Sequence, residues 1–327
     1  MKPRIAIIGA GFAGLVLARD LALQADVTLF DKARGVGGRM TTRYAPPFYF
    51  DHGAPFFTVH SAAFERFLKP DKEDGTIQPW EGRVVTLEPG KPLASHTWHE
   101  PHFVACPNMN SLCKKWAAKF SVHTSMKLEN LEKRREGWFL TFSTHELMGP
   151  FDWVLSTAPP QQTLSLFKSH IPNSTPMHTC SMEGCITLMV GLHDLWDPSW
   201  INAYVKESPL HWIGINSTKP GRSQEVTCIV AHSRNNWAEL HMEEDTNKLQ
   251  NLLLHELQRL INVQISSKDY VSLHRWRYAR VSDVKKSEGY LDPSKKLGAI
   301  GDWCTTSCIE DVWIAASHMA ARMSSAL

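Results

Sequence analysis

Three glycines spaced Gly9-x-Gly11-x-x-Gly14 follow an apolar run at residues 5–8 and open a stretch with helical apolar spacing. A second apolar run, residues 27–30, ends in Asp31. Glycines at this spacing let a chain turn sharply out of a strand, bring its backbone against a pyrophosphate, and seat a helix close on a sheet. The helix then offers free N–H groups and a positive dipole end to phosphate oxygens. A carboxylate at the end of the second strand accepts hydrogen bonds from ribose hydroxyls and repels a 2′-phosphate. The chemistry implied is dinucleotide binding, and on this motif alone NAD and FAD fit equally. The flanking strand, the helix and the terminal acid together separate it from the glycine-rich turn of a plain βαβ unit.

Two further segments carry related chemistry. Directly after Asp31 comes Lys32-Ala33-Arg34-Gly35-Val36-Gly37-Gly38-Arg39-Met40, where glycine-rich backbone and guanidinium are suited to closing over a pyrophosphate. Far along the chain, Leu297-Gly298-Ala299-Ile300-Gly301 reads as a strand ending at Asp302. Cys304 and Cys308 are spaced C-x3-C, but no second pair of Cys or His lies nearby, and no HExxH occurs. A metal site is therefore not expected.

The elements that must position these residues follow from periodicity. Residues 109–120 read as a helix with Leu112, Trp116 and Phe120 at four-residue spacing. Short alternating runs end at residues 138–142. Residues 151–158 read as a strand leading to a helix at Gln161. From 180 to 240 the pattern is β-rich, with runs at 186–190, 201–205, 211–215 and 226–231. Residues 244–262 carry Leu249, Leu252, Leu253, Leu257, Leu260 and Ile261, an amphipathic helix. A helix at 311–325 closes the reading. The first and last segments thus belong to one nucleotide-binding domain, with a β-rich region inserted.

The 327 residues have ordinary globular composition, at 43% hydrophobic and 21% charged, and suffice for two lobes. Net charge is +2 with acids and bases interspersed, so neither nucleic acid nor an anionic membrane is an expected partner. Residues 1–18 faintly imitate a secretory signal, but cleavage would discard the glycine motif. The seven cysteines are odd in number and scattered. Reduced thiols and a cytoplasmic location are expected.

Three segments together, IAIIGAGFAG with Asp31, VGGRMTTRY at 36–44, and GAIGDWC at 298–304, resemble the FAD oxidoreductases of the amine-oxidase fold. Within that group the chain is most similar to renalases, especially bacterial ones, through FDKARGVGGRMTTRY, DHGAPFFT, WIGINSTKPGR, IVAHSRNNW, HRWRYARV and IGDWC. The resemblance implies an α/β fold: a Rossmann-type FAD-binding domain at 1–58, 100–160 and 277–327, with an inserted β-rich α+β substrate domain at 59–99 and 161–276. It implies an FAD site at Gly9, Gly11, Phe12, Ala13, Gly14, Asp31, Lys32, Gly38, Arg39, Met40, Ala158, Gly301, Asp302 and Val312. Asp302 would accept from ribityl hydroxyls, and Trp313 would lie near the flavin ring. Asn216 would bond a substrate carboxamide, His232 would be a polar partner and Trp276 an aromatic wall, with Phe56 and Tyr278 as weaker pocket residues.

The activity implied is oxidation of 1,2- and 1,6-dihydro isomers of NAD(P), with hydride passing to flavin N5 and dioxygen yielding hydrogen peroxide. The partners are then a dihydronicotinamide dinucleotide and dioxygen, and the state a monomer or homodimer. Where the family reads Gly-Ala-Gln-Tyr, this chain has Gly53-Ala54-Pro55-Phe56, which keeps an aromatic shape and loses two polar groups. Other readings are an amine oxidase, for which the sequence assigns no lysine near N5, a mutase needing a basic diphosphate pocket, or a non-catalytic flavin module. An NAD(P)H-dependent reductase is disfavoured by the lack of a second GxGxxG.

Overall fold

The computed structural model describes residues 1–98, 100–173, 175–283 and 286–327, with backbone alone for Ser169 and Pro176. The chain forms two compact units: Met1–Met40, Leu112–Met182 and Arg280–Leu327 make the first, Thr41–Ser111 and Glu183–Ala279 the second.

In the first unit, strand Arg4–Ile8 is buried from Ile5 to Ile8, as expected of an interior parallel strand covered on both faces. It pairs in parallel with Asp26–Phe30 on one side and Trp153–Ser156 on the other. Ser121–His123 and Leu297–Ala299 extend the sheet in the same sense, and Tyr290–Asp292 closes one edge antiparallel. Helix Phe12–Leu21 buries Leu15, Val16, Leu17 and Leu21 and packs along helix Ile309–Ser324. Each such aliphatic side chain taken from water contributes about 1.5–3 kcal/mol. A three-stranded antiparallel sheet, Leu128–Arg134, Gly137–Phe142 and Leu147–Phe151, sets Phe142 and Phe151 against Phe30 at 4.7 and 5.9 Å between ring centroids.

The second unit is built on a seven-stranded sheet ordered Tyr270–Val281, Met182–Leu192, Thr227–Ser233, Leu210–Ile215, Asn202–Val205, Val84–Leu87 and Ala94–His96. One face carries Ile186, Leu188, Val190, Ile213, Ile229 and Ala231 against Leu249, Leu253 and Leu257 of helix Thr246–Ile261. Strand residues alternate between faces, so Thr187, Trp212, Val230 and His232 lie on the other.

The units divide differently from the domains expected. Strands Arg43–Ala45 and Phe48–Phe50 form a hairpin whose Phe48 and Phe50 stack on Tyr270 at 5.9 and 5.4 Å, which draws residues 41–58 into the second unit. His102–Ala105 pairs with Phe57–Thr58 and Ile77–Pro79 and takes 100–111 the same way. Helix Pro160–Phe167 packs on Leu128–Arg134, so residues 161–182 stay with the first. Helix Ala62–Glu73, which contains Pro70, and the twelve-residue strand Tyr270–Val281 were not expected from the sequence pattern. The strand alternates apolar with His, Arg and Trp positions, which weakens its apolar signal.

Candidate functional site

The glycine turn of the first unit is sterically determined. Gly9 has φ +112°, and a Cβ there would collide with Thr157 Oγ1; a Cβ on Gly14 would run into the Gly9 carbonyl oxygen. Gly11 differs: a Cβ would meet only Gly38 Cα, at an ordinary 3.7 Å. The fold thus requires glycine at 9 and 14, whereas at 11 it leaves room beside the backbone.

Helix Phe12–Leu21 begins at Gly11 with no side-chain cap and no acid in its first turn. Its first N–H groups therefore keep their anion-attracting character. Phe12 contributes backbone there, because its ring is buried and packs on Trp116 at 5.5 Å. Gly37 N donates to Ala10 O at 2.9 Å and Met40 N to Gly37 O at 2.9 Å, so the second glycine loop folds directly across the first. Gly38 has φ +57°, which favours glycine.

Asp31 is anchored to the same turn. Its carboxylate accepts from Ala10 N and Ala33 N, both at 2.8 Å. Burial raises its pKa, opposed by those two N–H groups and by Lys32. Each carboxylate oxygen retains a further acceptor site. Lys32 reaches Gln162 Oε1 at 2.9 Å.

Arg39 Nη1 forms an ion pair with Asp302 Oδ2 at 2.6 Å, so the loop arginine and the late acid, 263 positions apart, meet at one place. The sequence reading had assigned them to separate parts of a cofactor; here they hold one another. Asp302 Oδ2 also accepts from Ser307 Oγ at 3.4 Å. Gly301, before it, cannot carry a Cβ without meeting the Trp303 indole at 2.7 Å. Met40 is buried, Ala158 is half-buried beyond strand Trp153–Ser156, and Val312 is buried on helix Ile309–Ser324. The uncapped helix, the two crossing glycine loops, the anchored acid and the arginine fit a dinucleotide.

The polar face of the second unit's sheet gathers rings. Trp212 and His232 are register partners with centroids 5.2 Å apart, and Thr187 is His232's partner on the other side. Trp276 Nε1 donates to His52 O at 2.9 Å and Thr187 Oγ1 to the same oxygen at 3.2 Å. The His52, His274 and Trp276 rings lie 4.3–5.2 Å from one another. Phe56 stands beside Trp80, Trp98, His102 and Trp212. Tyr278 is half-buried two residues beyond Trp276 on the same face of its strand. The structure therefore brings His232, Trp276 and Phe56 into one ring-lined face and adds His52, Trp212 and His274, which sequence reading missed. The alternation His274-x-Trp276 on a strand was the available signal.

Burial keeps these imidazoles neutral. It pushes His232 down to about 3 and His52 down to about 4, and lowers His274 as well. His232 Nε2 and Trp212 Nε1 are buried without a hydrogen-bond partner among the described residues. The face can stack a flat ring and offer polar contacts, but it supplies no strong base.

Asn216 is placed otherwise than expected. Both ends of its amide are used: Nδ2 donates to Tyr49 O at 2.9 Å and Oδ1 accepts from Asp51 N at 3.3 Å. It braces the Phe48–Phe50 hairpin, because its burial leaves it no other partners. Next to it lies a buried ionic cluster that the sequence did not reveal. Asp51 Oδ2 accepts from Lys219 Nζ at 3.0 Å and Arg222 Nη2 at 2.6 Å, and Oδ1 from Thr42 Oγ1 and Met109 N. Burial alone would raise the Asp51 carboxyl, but the two cations and the N–H donors outweigh it and hold it well below the usual range. Burial pushes Lys219 down to about 8 in spite of Asp51.

Among the described residues no cluster of three or more His, Cys, Asp or Glu is placed to hold a metal ion, and no helix is long and apolar enough to cross a membrane. All seven cysteines are free thiols.

The description of an NAD(P)-binding Rossmann-like domain matches residues 7–70. Solved structures match almost end to end. A protein assigned as a protoporphyrinogen oxidase from Exiguobacterium sp. 255-15 superposes with TM-score 0.74 at 12% identity, over 99% of each chain. A putrescine oxidase variant gives 0.72 at 10% identity over 99% of each chain. An oxidoreductase from Methanosarcina mazei gives 0.71 at 11%, over 98% of this chain and 100% of that one. At such identities the shared property is the fold, a Rossmann-like domain with a second mixed α/β domain of the amine-oxidase type.

Proposed function

We propose that this chain is a renalase-like, FAD-dependent oxidase of 1,2- and 1,6-dihydro isomers of NAD(P). FAD, when bound, would supply a hydride acceptor at N5, and the two electrons and the N5 proton, with one proton from solvent, would reduce dioxygen to hydrogen peroxide. The first-turn N–H groups beside Gly11, Ala13 and Gly14 would hold phosphate oxygens, Asp31 a ribose, and Arg39 with Asp302 the remaining polar chain. Lys32, Gly38, Met40, Ala158, Gly301 and Val312 would border it. The alternation of oxidase names among the structural neighbours supports an oxidoreductase on this frame.

The observation that carries the reading is the ring-lined face, where Trp212, His232, His52, His274 and Trp276 gather on one side of the sheet. Its imidazoles are held neutral and far below the pKa of a useful general base. Loss of hydride from a neutral dihydropyridine yields an aromatic pyridinium and requires no N–H or O–H proton to leave. Trp276, Trp212 and Phe56 would orient that flat ring, His232 Nε2 would meet its polar substituent, and the surrounding aromatics would exclude water.

The test is anaerobic mixing of the flavin-loaded protein with each dihydro isomer. Bleaching of the flavin within seconds, followed by peroxide on admitting air, is expected. Absence of bleaching with both isomers rejects the proposal. An amine oxidase is the second reading, because a putrescine oxidase shares the fold and an aromatic face also accommodates a neutral amine. Peroxide formed from putrescine or a monoamine, with the dihydro isomers inert, would establish it.

A further inference from the structure

The buried cluster around Asp51 contains one anion and two cations. Asp51 is fully buried, and Lys219 and Arg222 are 1% and 9% exposed. Neither neighbouring thiol supplies the missing negative charge: burial pushes Cys228 up to about 11 and raises Cys106 too. Lys219 also faces the Trp80 ring at 5.2 Å, a neutral partner. An uncompensated buried cation is costly unless an anion can reach it.

A cavity of about 170 Å³ does reach it, lined by Arg222 together with Tyr49, Asn108, Ser217, Gly221 and Ser223. Arg222 Nη2 goes to Asp51, Nη1 to Pro220 O at 2.7 Å and Cys106 Sγ at 3.7 Å, and Nε is buried without a partner among the described residues. Ser217 Oγ accepts from Cys228 N at 3.2 Å, so its own hydrogen is available to a further acceptor. The buried Arg222 charge beside a small space bordered by Ser217 and Ser223, with Pro47, Pro107 and Val226 on its apolar side, makes a site for one small oxyanion.

We propose that this pocket binds a small free oxyanion, of the size of inorganic phosphate, as the counter-charge of Arg222. Its volume admits one phosphoryl group and not a nucleotide. The site is independent of the oxidase reading, since none of its lining residues belongs to the ring-lined face or the dinucleotide turn.

The experiment is calorimetric titration of the full chain with inorganic phosphate, at ionic strength fixed with chloride. Saturable one-to-one binding is expected. Ser223 is exposed at the rim, so Ser223→Glu adds a carboxylate there while leaving the buried cluster intact. It should weaken binding at least about tenfold by like-charge repulsion, whereas Ser223→Ala should change it less than about threefold. Adenosine monophosphate should not compete. No saturable binding to the wild-type chain, equal binding to Ser223→Glu, or competition by the nucleotide would each overturn the proposal.

Discussion

Asp51 shows how much one side chain can determine in this molecule. It joins the Phe48–Phe50 hairpin to Met109 and to Lys219 and Arg222, and the carbonyl of the next residue, His52, receives Trp276 and Thr187. Asp51→Asn would leave two buried cations with a neutral partner, and a loss of about 3–5 kcal/mol is expected. A urea melt that moves by less than about 1 kcal/mol would contradict it. Trp276→Phe keeps an aromatic ring but removes the N–H donor to His52 O and part of the ring area against His52 and His274. It should cost about 1 kcal/mol of stability and raise KM for the dihydro isomers more than it lowers kcat. These residues were unevenly legible in the sequence. His232 follows an apolar run at 226–231 that reads as a strand, whereas Trp276 lies on a strand that the apolar pattern does not reveal. Lys219 and Arg222 lie in a loop, where no period says which way a side chain points, so their pairing with an acid 168 and 171 positions away could not be read.

Among the elements, the strand–turn–helix unit at the start of the chain separates structural from binding glycines. Gly14→Ala drives a methyl into the Gly9 carbonyl and should destabilise by about 3 kcal/mol, visible as loss of soluble protein or a lowered melting temperature. Gly11→Ala meets only ordinary contacts and should leave the melt of the cofactor-free chain nearly unchanged, while reducing flavin retention at least about tenfold. Equal melts for the two variants would show that the turn is less constrained than its geometry indicates. Parallel interior strands and the leucine-rich helix Thr246–Ile261 could be read well, because continuous or 3.6-residue apolar patterns survive translation into sequence. Strand Tyr270–Val281 could not, since His274, Arg275 and Trp276 are half-buried, Arg277 and Arg280 are exposed, and the run mimics a polar segment. The bounds of the two compact units follow from ring stacking and strand pairing between distant segments, and composition along the chain carries no trace of either.

The molecule as a whole should be acid-sensitive, and the sign follows from its histidines. Above about pH 6.5, His52 and His232 are neutral in both folded and unfolded chains, so their contribution is fully present. Below that pH the unfolded chain binds protons that the folded one refuses until about pH 4 and about pH 3, respectively. Stability should therefore fall as pH drops from 6.5, by as much as about 3 kcal/mol from His52 alone once pH 4 is reached. In melts taken between pH 7 and 5, the double variant His52→Asn, His232→Asn should show a shallower decline than the wild-type chain. Parallel slopes would mean that these imidazoles titrate normally.

The order of strands in the first unit has a consequence for how the protein is made. Strand Trp153–Ser156 lies between Arg4–Ile8 and Leu297–Ala299, and helix Phe12–Leu21 rests on Ile309–Ser324. Strand Arg4–Ile8 thus finds one sheet neighbour about 20 residues later, its second about 150 residues later, and the helical cover of Phe12–Leu21 comes about 300 residues later. Until then residues 5–8 are paired along one edge alone, by Asp26–Phe30, and the other edge of the strand is unpaired. The second unit draws both of its segments from the interval between, so its chain is available first during synthesis. A chain that ends before residue 297 would lack the strand that pairs with Trp153–Ser156 and the acid that pairs with Arg39, so the first unit is the part of this polypeptide most in need of a chaperone while it is being made.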